Sequence, residues 1–185
     1  MLKPSAFGTA VAVMLFLFGL SSASGRQWNA TPEAINRDYA SINDTRTNGE
    51  LVLLVWLVPQ LLPPETPGVA AIAPMLQKNV VLMAVHGKLD KSTGSMSFDD
   101  VTGLSAQDQT GAALTAIARD NLPPATNGML AAIETMFRQS LGALGAGMKM
   151  FVFDGNSVSS CRTGRLTVAL ADENYVWNTP FPGCR

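Results

Sequence analysis

Long apolar runs separated by short polar turns give the chain its clearest pattern, and two of these runs predict buried strands. Residues 51–58 are continuously apolar, which is typical of a strand with both faces covered. Residues 79–89 predict a second strand, and the turn at 90–94 joins it to the alternating segment 95–98 as a hairpin. The alternation places the methionine and phenylalanine of that segment on the core side and its two serines in water.

Apolar residues at helical spacing predict four helices, over residues 31–43, 69–77, 110–120 and 128–144. The second contains Pro74, and the third is expected to turn Ala113, Leu114 and Ile117 inward before the prolines at 123 and 124 end it. The longest helix is amphipathic: its apolar residues share one face, and its charged residues lie on the other.

Three further strands are predicted at residues 148–153, 166–170 and 175–177, the last two forming a second hairpin. Strands and helices do not alternate regularly along the chain. The expected fold is therefore α+β: a single domain with an antiparallel sheet of about five or six strands and two or three helices packed on one face.

The first 24 residues have the layout of a cleavable secretory signal. Lys3 supplies the positive charge, residues 6–20 are uncharged and largely apolar, and small residues follow at 21–25. We expect cleavage after Ala23 or Ser24, leaving residues 25–185 as one globular domain. An uncleaved membrane anchor is the alternative, although the apolar run is shorter than the roughly 20 residues that cross a bilayer.

Two cysteines, Cys161 and Cys184, fit an exported chain. An oxidising compartment favours joining them, and the closed loop would stabilise the fold by roughly 3 kcal/mol. A metal or redox site is the alternative, but the chain has no C-x-x-C motif and only one histidine. The sequence therefore predicts a structural disulfide in a periplasmic or extracellular protein.

Charge and composition exclude several classes of function. The 185 residues carry a net charge of -1, and 15% are charged, so no basic field exists for nucleic acid. The apolar run 51–62 is too short and too interrupted to span a membrane, so no stable span is expected after signal cleavage. No nucleotide-binding or zinc-protease motif is present, and no cofactor is expected.

His86 is the single histidine, and it is the main candidate for a catalytic role. Asp99 and Asp100 come directly after the predicted hairpin that contains His86. A small hydrolase with an acid–base site is therefore one hypothesis. Alternation puts His86 on the strand face of Leu82 and Ala84. A lone histidine in a strand is more often structural, and the two interpretations differ in whether its ring opens to a cleft beside a carboxylate and a hydroxyl.

Met148 and Met150 share one strand face, a spacing that would suit Cu(I) outside the cytoplasm. Core packing explains the same pattern more simply. The segment 155–159 misses the G-x-S-x-G nucleophile motif at its last residue, and the loop that starts at Asp90 lacks the ligand pattern of a calcium loop. Asn29 and Asn43 begin glycosylation acceptor patterns that matter only in a eukaryotic source.

These observations rank three functions. The first is a non-catalytic exported module that binds an unidentified protein partner or small ligand, or supports an envelope assembly. An unpaired apolar edge at residues 51–56 would favour partner binding by strand addition. The second is a small hydrolase using His86 and a nearby carboxylate. The third, weaker one is a methionine-based copper-binding protein.

Overall fold

The computed structural model describes residues 40–43, 49–62, 68–181 and 184 of the chain. Eight strands and two α-helices are found there, joined in places by short 3₁₀ turns. In chain order they are β1 (Ala40–Asn43), β2 (Glu50–Leu57), α1 (Val69–Lys78), β3 (Asn79–Leu89), β4 (Met96–Phe98), β5 (Ser105–Gln107), α2 (Pro124–Ser140), β6 (Lys149–Asp154), β7 (Gly164–Leu170) and β8 (Glu173–Thr179).

A five-stranded antiparallel sheet, the central sheet, forms the middle layer of the described structure. Its order is β1-β2-β3, and the long strand β3 pairs on its other side with β6 along its first half and with β4 along its second. The far edge of β6 is covered in turn, because Ala116 bridges to Phe153 and the Ile117 amide donates to the carbonyl of Val152.

The second sheet has three antiparallel strands in the order β5-β7-β8. β7 and β8 form the hairpin that was predicted, connected by the two residues Ala171 and Asp172, whose φ angles are 53° and 63°. Two successive residues with positive φ make the tight turn that matches the twist of an antiparallel pair.

Strands β2 and β3 are buried on both faces, as the continuous apolar run predicted. Alternate residues contribute to two separate cores. The sheet-side core lies between the two sheets and includes Val52, Leu54, Trp56, Val80, Leu82, Ala84, Leu166, Val168, Tyr175 and Trp177. The helix-side core lies under α1 and α2 and includes Leu53, Val55, Leu57, Ile72, Leu76, Val81, Met83, Val85, Leu130 and Ile133.

The α+β class is therefore confirmed, with antiparallel strands and helices packed on one face of the central sheet. The described strands are divided between two sheets, and the second sheet covers the face that the helices leave open. This division gives a layered order of helices, central sheet and second sheet, which buries both faces of the central strands.

Predicted helix 128–144 is shifted by about one turn. Helix α2 begins at Pro124, whose fixed φ suits the first helical position, and ends at Ser140 before a 3₁₀ turn at Gly142–Gly147. Its amphipathic character is as expected, since Leu130 and Ile133 are buried in the helix-side core. The short helix with an internal Pro74 is also confirmed, as α1.

The helix predicted over residues 110–120 is wrong. Asp108 ends β5 in a tight turn, where its carboxylate accepts from the amides of Thr110 and Ala112 at 2.8 and 3.1 Å. The chain then runs extended, so that Leu114 packs on the sheet-side core and Ile117 on the helix-side core. Only a 3₁₀ turn at Arg119–Asn121 is helical.

The end of the helix predicted over 31–43 is also wrong, because Ala40–Asn43 is strand β1 and pairs with residues 52–55 of β2. Strand pairing outweighs the helical spacing at these positions. The remainder of that prediction, the secretory signal and Asn29 lie outside the described residues.

The disulfide between Cys161 and Cys184 is confirmed. It ties the loop that precedes β7 to the chain that follows β8, where the Phe181 amide also donates to the carbonyl of Ser160 at 2.8 Å. Within the part of the chain that is described, none of the helices has both the length and the apolar character needed to span a bilayer.

Candidate functional site

His86 lies near the end of β3, three residues before Leu89. Its cross-strand partner in β2 is Val52, and its backbone carbonyl accepts from the amide of Asp99 at 3.0 Å, which continues the pairing of β3 with β4. The strand alternation predicted for it holds, because Leu82 and Ala84 pack on the same side of the sheet. The side chain is 17% exposed and lines a cleft.

Two carboxylates flank the His86 ring. Nε2 is in direct contact with Oε1 of Glu50, which reaches across from the start of β2. Nδ1 lies 3.9 Å from Oδ2 of Asp99, and Lys88 Nζ lies 3.0 Å from the same oxygen. The four side chains form a chain of alternating acidic and basic groups on one face of the central sheet.

The cleft beside His86 has a volume of about 430 Å³. One wall is the segment that follows β4, residues 99–103, and the other is the turn of the β7–β8 hairpin, residues 169–172. Buried Val101 and Leu170 supply apolar surface. The cleft therefore opens between the ends of the two sheets, and its size is within the range of small-molecule sites.

Acidic groups dominate the charge of this cleft. Its lining includes Asp99, Asp100 and Asp172 and has no lysine or arginine. Asp100 contacts Nζ of Lys149, but the side chains of Lys149 and Lys88 are 45% and 60% exposed. Ion pairs with such exposed lysines are weak, so the lysines leave the cleft available to another cation.

The backbone of the hairpin turn brings Asp172 to the rim of the cleft. Its φ of 63° is unusual for a residue with a side chain, although aspartate and asparagine tolerate this region better than most. The tight turn therefore determines where Asp172 lies at the end of the hairpin. This residue lines the cleft on the side opposite the loop at 99–103.

The partners of the His86 ring do not match those of a histidine that activates a nucleophile. Among the described residues, its hydrogen-bond partner is the Glu50 carboxylate, and no hydroxyl is hydrogen-bonded to either nitrogen. A triad of the serine-hydrolase type needs a hydroxyl on one nitrogen and a carboxylate on the other. Here carboxylates face both nitrogens.

The structure brings the three predicted residues His86, Asp99 and Asp100 together in one cleft, and it adds Glu50 as a partner of His86 that was missed. Asp99 lies beside His86, and Asp100 lines the same cleft. Glu50 is the closest partner of His86, yet the two are 36 residues apart in sequence. Only the register of β2 against β3, which pairs Glu50 with Lys88, places it diagonally across from the histidine.

Met148 and Met150 both pack in the helix-side core, and Met148 is 1% exposed. Met150 pairs across the sheet with Met83, another core residue. This surrounding fits the gap-filling role of methionine in apolar interiors. In the described residues, no group of three or more histidine, cysteine or acidic side chains is arranged to hold a metal ion.

The two other motifs have structural explanations. Asp90 caps the hairpin turn: its carboxylate accepts from the hydroxyl and amide of Ser92 and from the amide of Thr93, which lowers its pKa to about 2. Ser157 follows β6 in a loop that leads to β7 instead of a helix, so the strand-to-helix context of a nucleophile elbow is missing.

The edge considered for strand addition is not open. Residues 52–55 of β2 pair with β1 on one side, and the whole of β2 pairs with β3 on the other. The apolar run at 51–56 is therefore an inner strand of the central sheet, and the condition for partner binding at that edge is not met.

Comparison of the chain with protein-family models, with curated proteins and with solved structures found no match. The functional assignment therefore depends on the geometry of the site.

Proposed function

We propose that this protein is a non-catalytic binding module of an extracytoplasmic compartment, and that the cleft beside His86 takes a small ligand with a positively charged head and an apolar body. The observation that carries the proposal is the lining of the cleft. Three aspartates and no basic side chain except the histidine surround a volume of about 430 Å³.

Charge and shape support this class of ligand. A cation placed among Asp99, Asp100 and Asp172 would be attracted by each carboxylate, and the concave shape limits screening by water. The buried side chains of Val101 and Leu170 offer apolar contact to the rest of the ligand. The three carboxylates of the same walls would repel an anion.

Titration calorimetry with three probes of similar size tests the proposal: n-butylammonium, n-butanol and n-butyrate. We expect saturable binding in the order cation, alcohol, anion, with a dissociation constant for n-butylammonium in the millimolar range. The Asp172→Asn variant should weaken the cation at least threefold, since asparagine keeps the turn and removes the charge. Asp120→Asn removes an exposed carboxylate outside the cleft and is the matched control.

Equal binding of the three probes, or equal weakening by the two variants, would contradict an electrostatic binding site. Added salt could abolish butylammonium binding while Asp172→Asn leaves it unchanged. That result would show general charge attraction to the protein surface and would contradict a specific site.

A small hydrolase is the second candidate, because the contact between Glu50 and His86 resembles the acid–base half of a catalytic pair. The test is turnover of a panel of p-nitrophenyl esters and short peptides by the wild-type protein and by His86→Gln. The binding proposal predicts no turnover by either. Turnover that the wild type shows and His86→Gln loses would favour the enzyme.

The proposed compartment is supported by the disulfide, which forms and persists in oxidising surroundings, and by the leader-like pattern of residues 1–24. N-terminal sequencing of the secreted or periplasmic protein should begin after Ala23 or Ser24. A thiol assay of the denatured protein should find no free sulfhydryl. An intact Met1 in a membrane fraction or two reactive thiols would contradict export.

A further inference from the structure

A second concave site lies at the opposite end of β7, where the loop that follows β6 meets the start of the strand. Its volume is about 150 Å³, and its walls include Arg162, Arg165, Ser159, Thr163 and Gln109. The six residue steps from Gly164 to Leu170 separate it from the His86 cleft by roughly 20 Å along the strand. The two sites are therefore independent.

The arginines of this pocket differ from the other arginines of the described chain. Arg119 and Arg138 both pair with the carboxylate of Glu134. Arg162 and Arg165 have no carboxylate within 4.0 Å and no side-chain hydrogen bond among the described residues, and both are exposed. Their guanidinium donors are available to a bound anion, and each presents a planar fork that matches an oxyanion.

The backbone that carries Arg162 is held from several directions. Its carbonyl accepts from Oγ1 of buried Thr179 at 2.5 Å, and its neighbour Cys161 is disulfide-bonded and donates from its amide to Oγ of Ser159 at 3.2 Å. Such anchoring lowers the entropy lost when a ligand orders the loop.

Gly164 allows the opposite wall to approach. A Cβ at this position would lie 2.4 Å from Oε1 of Gln109. The glutamine side chain therefore occupies space that a side chain at position 164 would need. The absence of a side chain at Gly164 lets the Gln109 amide lie against the start of β7 as part of the pocket wall.

The acidic groups nearby already have donors of their own. Asp108 accepts from the hydroxyl and amide of Thr110 and from the amide of Ala112, and these hydrogen bonds lower its pKa to about 2. Asp154 accepts from the amide and side chain of Asn156. Neither carboxylate is part of the pocket wall, and neither neutralises the two arginines.

From these observations we infer that the pocket of Arg162 and Arg165 binds a small oxyanion group, such as phosphate, sulfate or a sugar carboxylate. Its volume of about 150 Å³ is large enough for one oxyanion with a bridging water. Nucleic acid needs a longer basic track than two arginines provide.

The test is titration of the ¹⁵N-labelled protein, at constant ionic strength, with inorganic phosphate, sulfate and glucuronate. We expect saturable shifts of amides 156–165 with a dissociation constant in the millimolar range. Tighter binding of glucuronate than of the inorganic ions would identify an anionic sugar as the source of the group. Tighter binding of phosphate or sulfate would identify the free ion.

Arg162→Gln and Arg165→Gln should each weaken binding at least tenfold. Lys91→Gln, which removes an exposed cation from the distant β3–β4 turn, should leave binding unchanged. Arg162→Lys keeps the charge without the planar fork and should fall between wild type and Arg162→Gln. Thermal melting of each variant verifies the fold. Shifts that rise linearly without saturation, or equal losses in Lys91→Gln, would overturn the inference.

Discussion

The ring of Trp56 lies edge-on to the ring of Phe181, with centroids 5.0 Å apart and planes inclined at 64°. Trp56 belongs to the central sheet, whereas Phe181 lies in the tail that the disulfide ties down. Trp177 of the second sheet packs edge-on to the same indole at 6.5 Å. These three rings join both sheets and the tail, and such pairs stabilise by about 0.5–1.5 kcal/mol beyond their buried area.

Substitutions of Trp56 separate two contributions to stability: the packing of the indole ring and the burial of its N–H group. Its Nε1 is buried without a hydrogen-bond partner among the described residues, so the native indole carries an uncompensated desolvation penalty. Trp56→Phe should therefore destabilise by only about 1–2 kcal/mol, whereas Trp56→Ala should destabilise by about 3–5 kcal/mol. Denaturant titration measures both. Equal losses would show that the indole nitrogen contributes a favourable interaction.

The disulfide should stabilise the fold through the loop that it closes. The two cysteines are 23 residues apart in sequence, and a loop of this size corresponds to about 3 kcal/mol of unfolded-chain entropy. The double variant Cys161→Ser/Cys184→Ser should lose about that much in urea unfolding. The wild type with reductant should lose a similar amount, while reductant should leave the double variant unaffected. A loss below about 1 kcal/mol would contradict this explanation.

Two glycines should respond in opposite directions to alanine. Gly128 lies inside α2, and a Cβ added there would meet open space to a distance of 4 Å, so Gly128→Ala should stabilise by about 0.5–1 kcal/mol. At Gly145 a Cβ would lie 2.0 Å from the backbone carbonyl oxygen of Arg138, so Gly145→Ala should destabilise by about 1–3 kcal/mol. Thermal melts show whether each substitution raises or lowers the stability of the fold. Similar effects of the two would contradict the packing described here.

Asp108 should make the fold sensitive to acid. The hydroxyl and amide of Thr110 are the main cause of its lowered pKa, about 2 against an ordinary 3.8. Between these values the unfolded chain binds more protons than the folded one. The stabilisation is therefore complete above about pH 4 and is lost as the pH falls towards 2.

The measurement is the free energy of unfolding from pH 6 to pH 2. Asp108→Asn should be less stable than wild type at neutral pH and should show a shallower decline in acid. Asp120→Asn is the charge-matched control and should follow the wild-type curve. Parallel curves for Asp108→Asn and the wild type would show that this carboxylate is not responsible.

Local sequence patterns predicted the strands and turns whose packing follows from the alternation of residues along a strand. The strand at Asn79–Leu89 and the hairpin turn that begins at Asp90 follow from residue types within the segment itself. The run at 51–58 indicated that both faces are covered, which the two cores explain. The division into two sheets depends on which strands pair at long range, and that information is not in local periodicity.

The wrong helix at 110–120 shows where periodicity misleads. Leu114 and Ile117 are three residues apart, as on one helical face, but they belong to different cores. The carboxylate of Asp108 turns the chain, and the pairing of Ala116 with Phe153 then holds it extended. Tertiary pairing satisfies the backbone there more effectively than helix formation would.

For the site, the sequence indicated His86, Asp99 and Asp100 because they are close along the chain. Glu50 reaches His86 only through the register of β2 against β3, and Asp172 reaches the cleft only through the hairpin turn. The same holds for the pocket of Arg162 and Arg165, whose walls come from residues 109, 156–159, 162–165 and 179. Sites made from several loops cannot be recognised before the topology that assembles them is known.

The central claim is that the cleft beside His86 is a binding site for cations. The most direct measurement is a ¹⁵N–¹H spectrum of the protein titrated with n-butylammonium at constant ionic strength. We predict saturable shifts confined to amides 99–103 and 169–172 and to the His86 ring, with amides 156–165 unmoved. Shifts scattered over the surface, or none near His86, would contradict the claim.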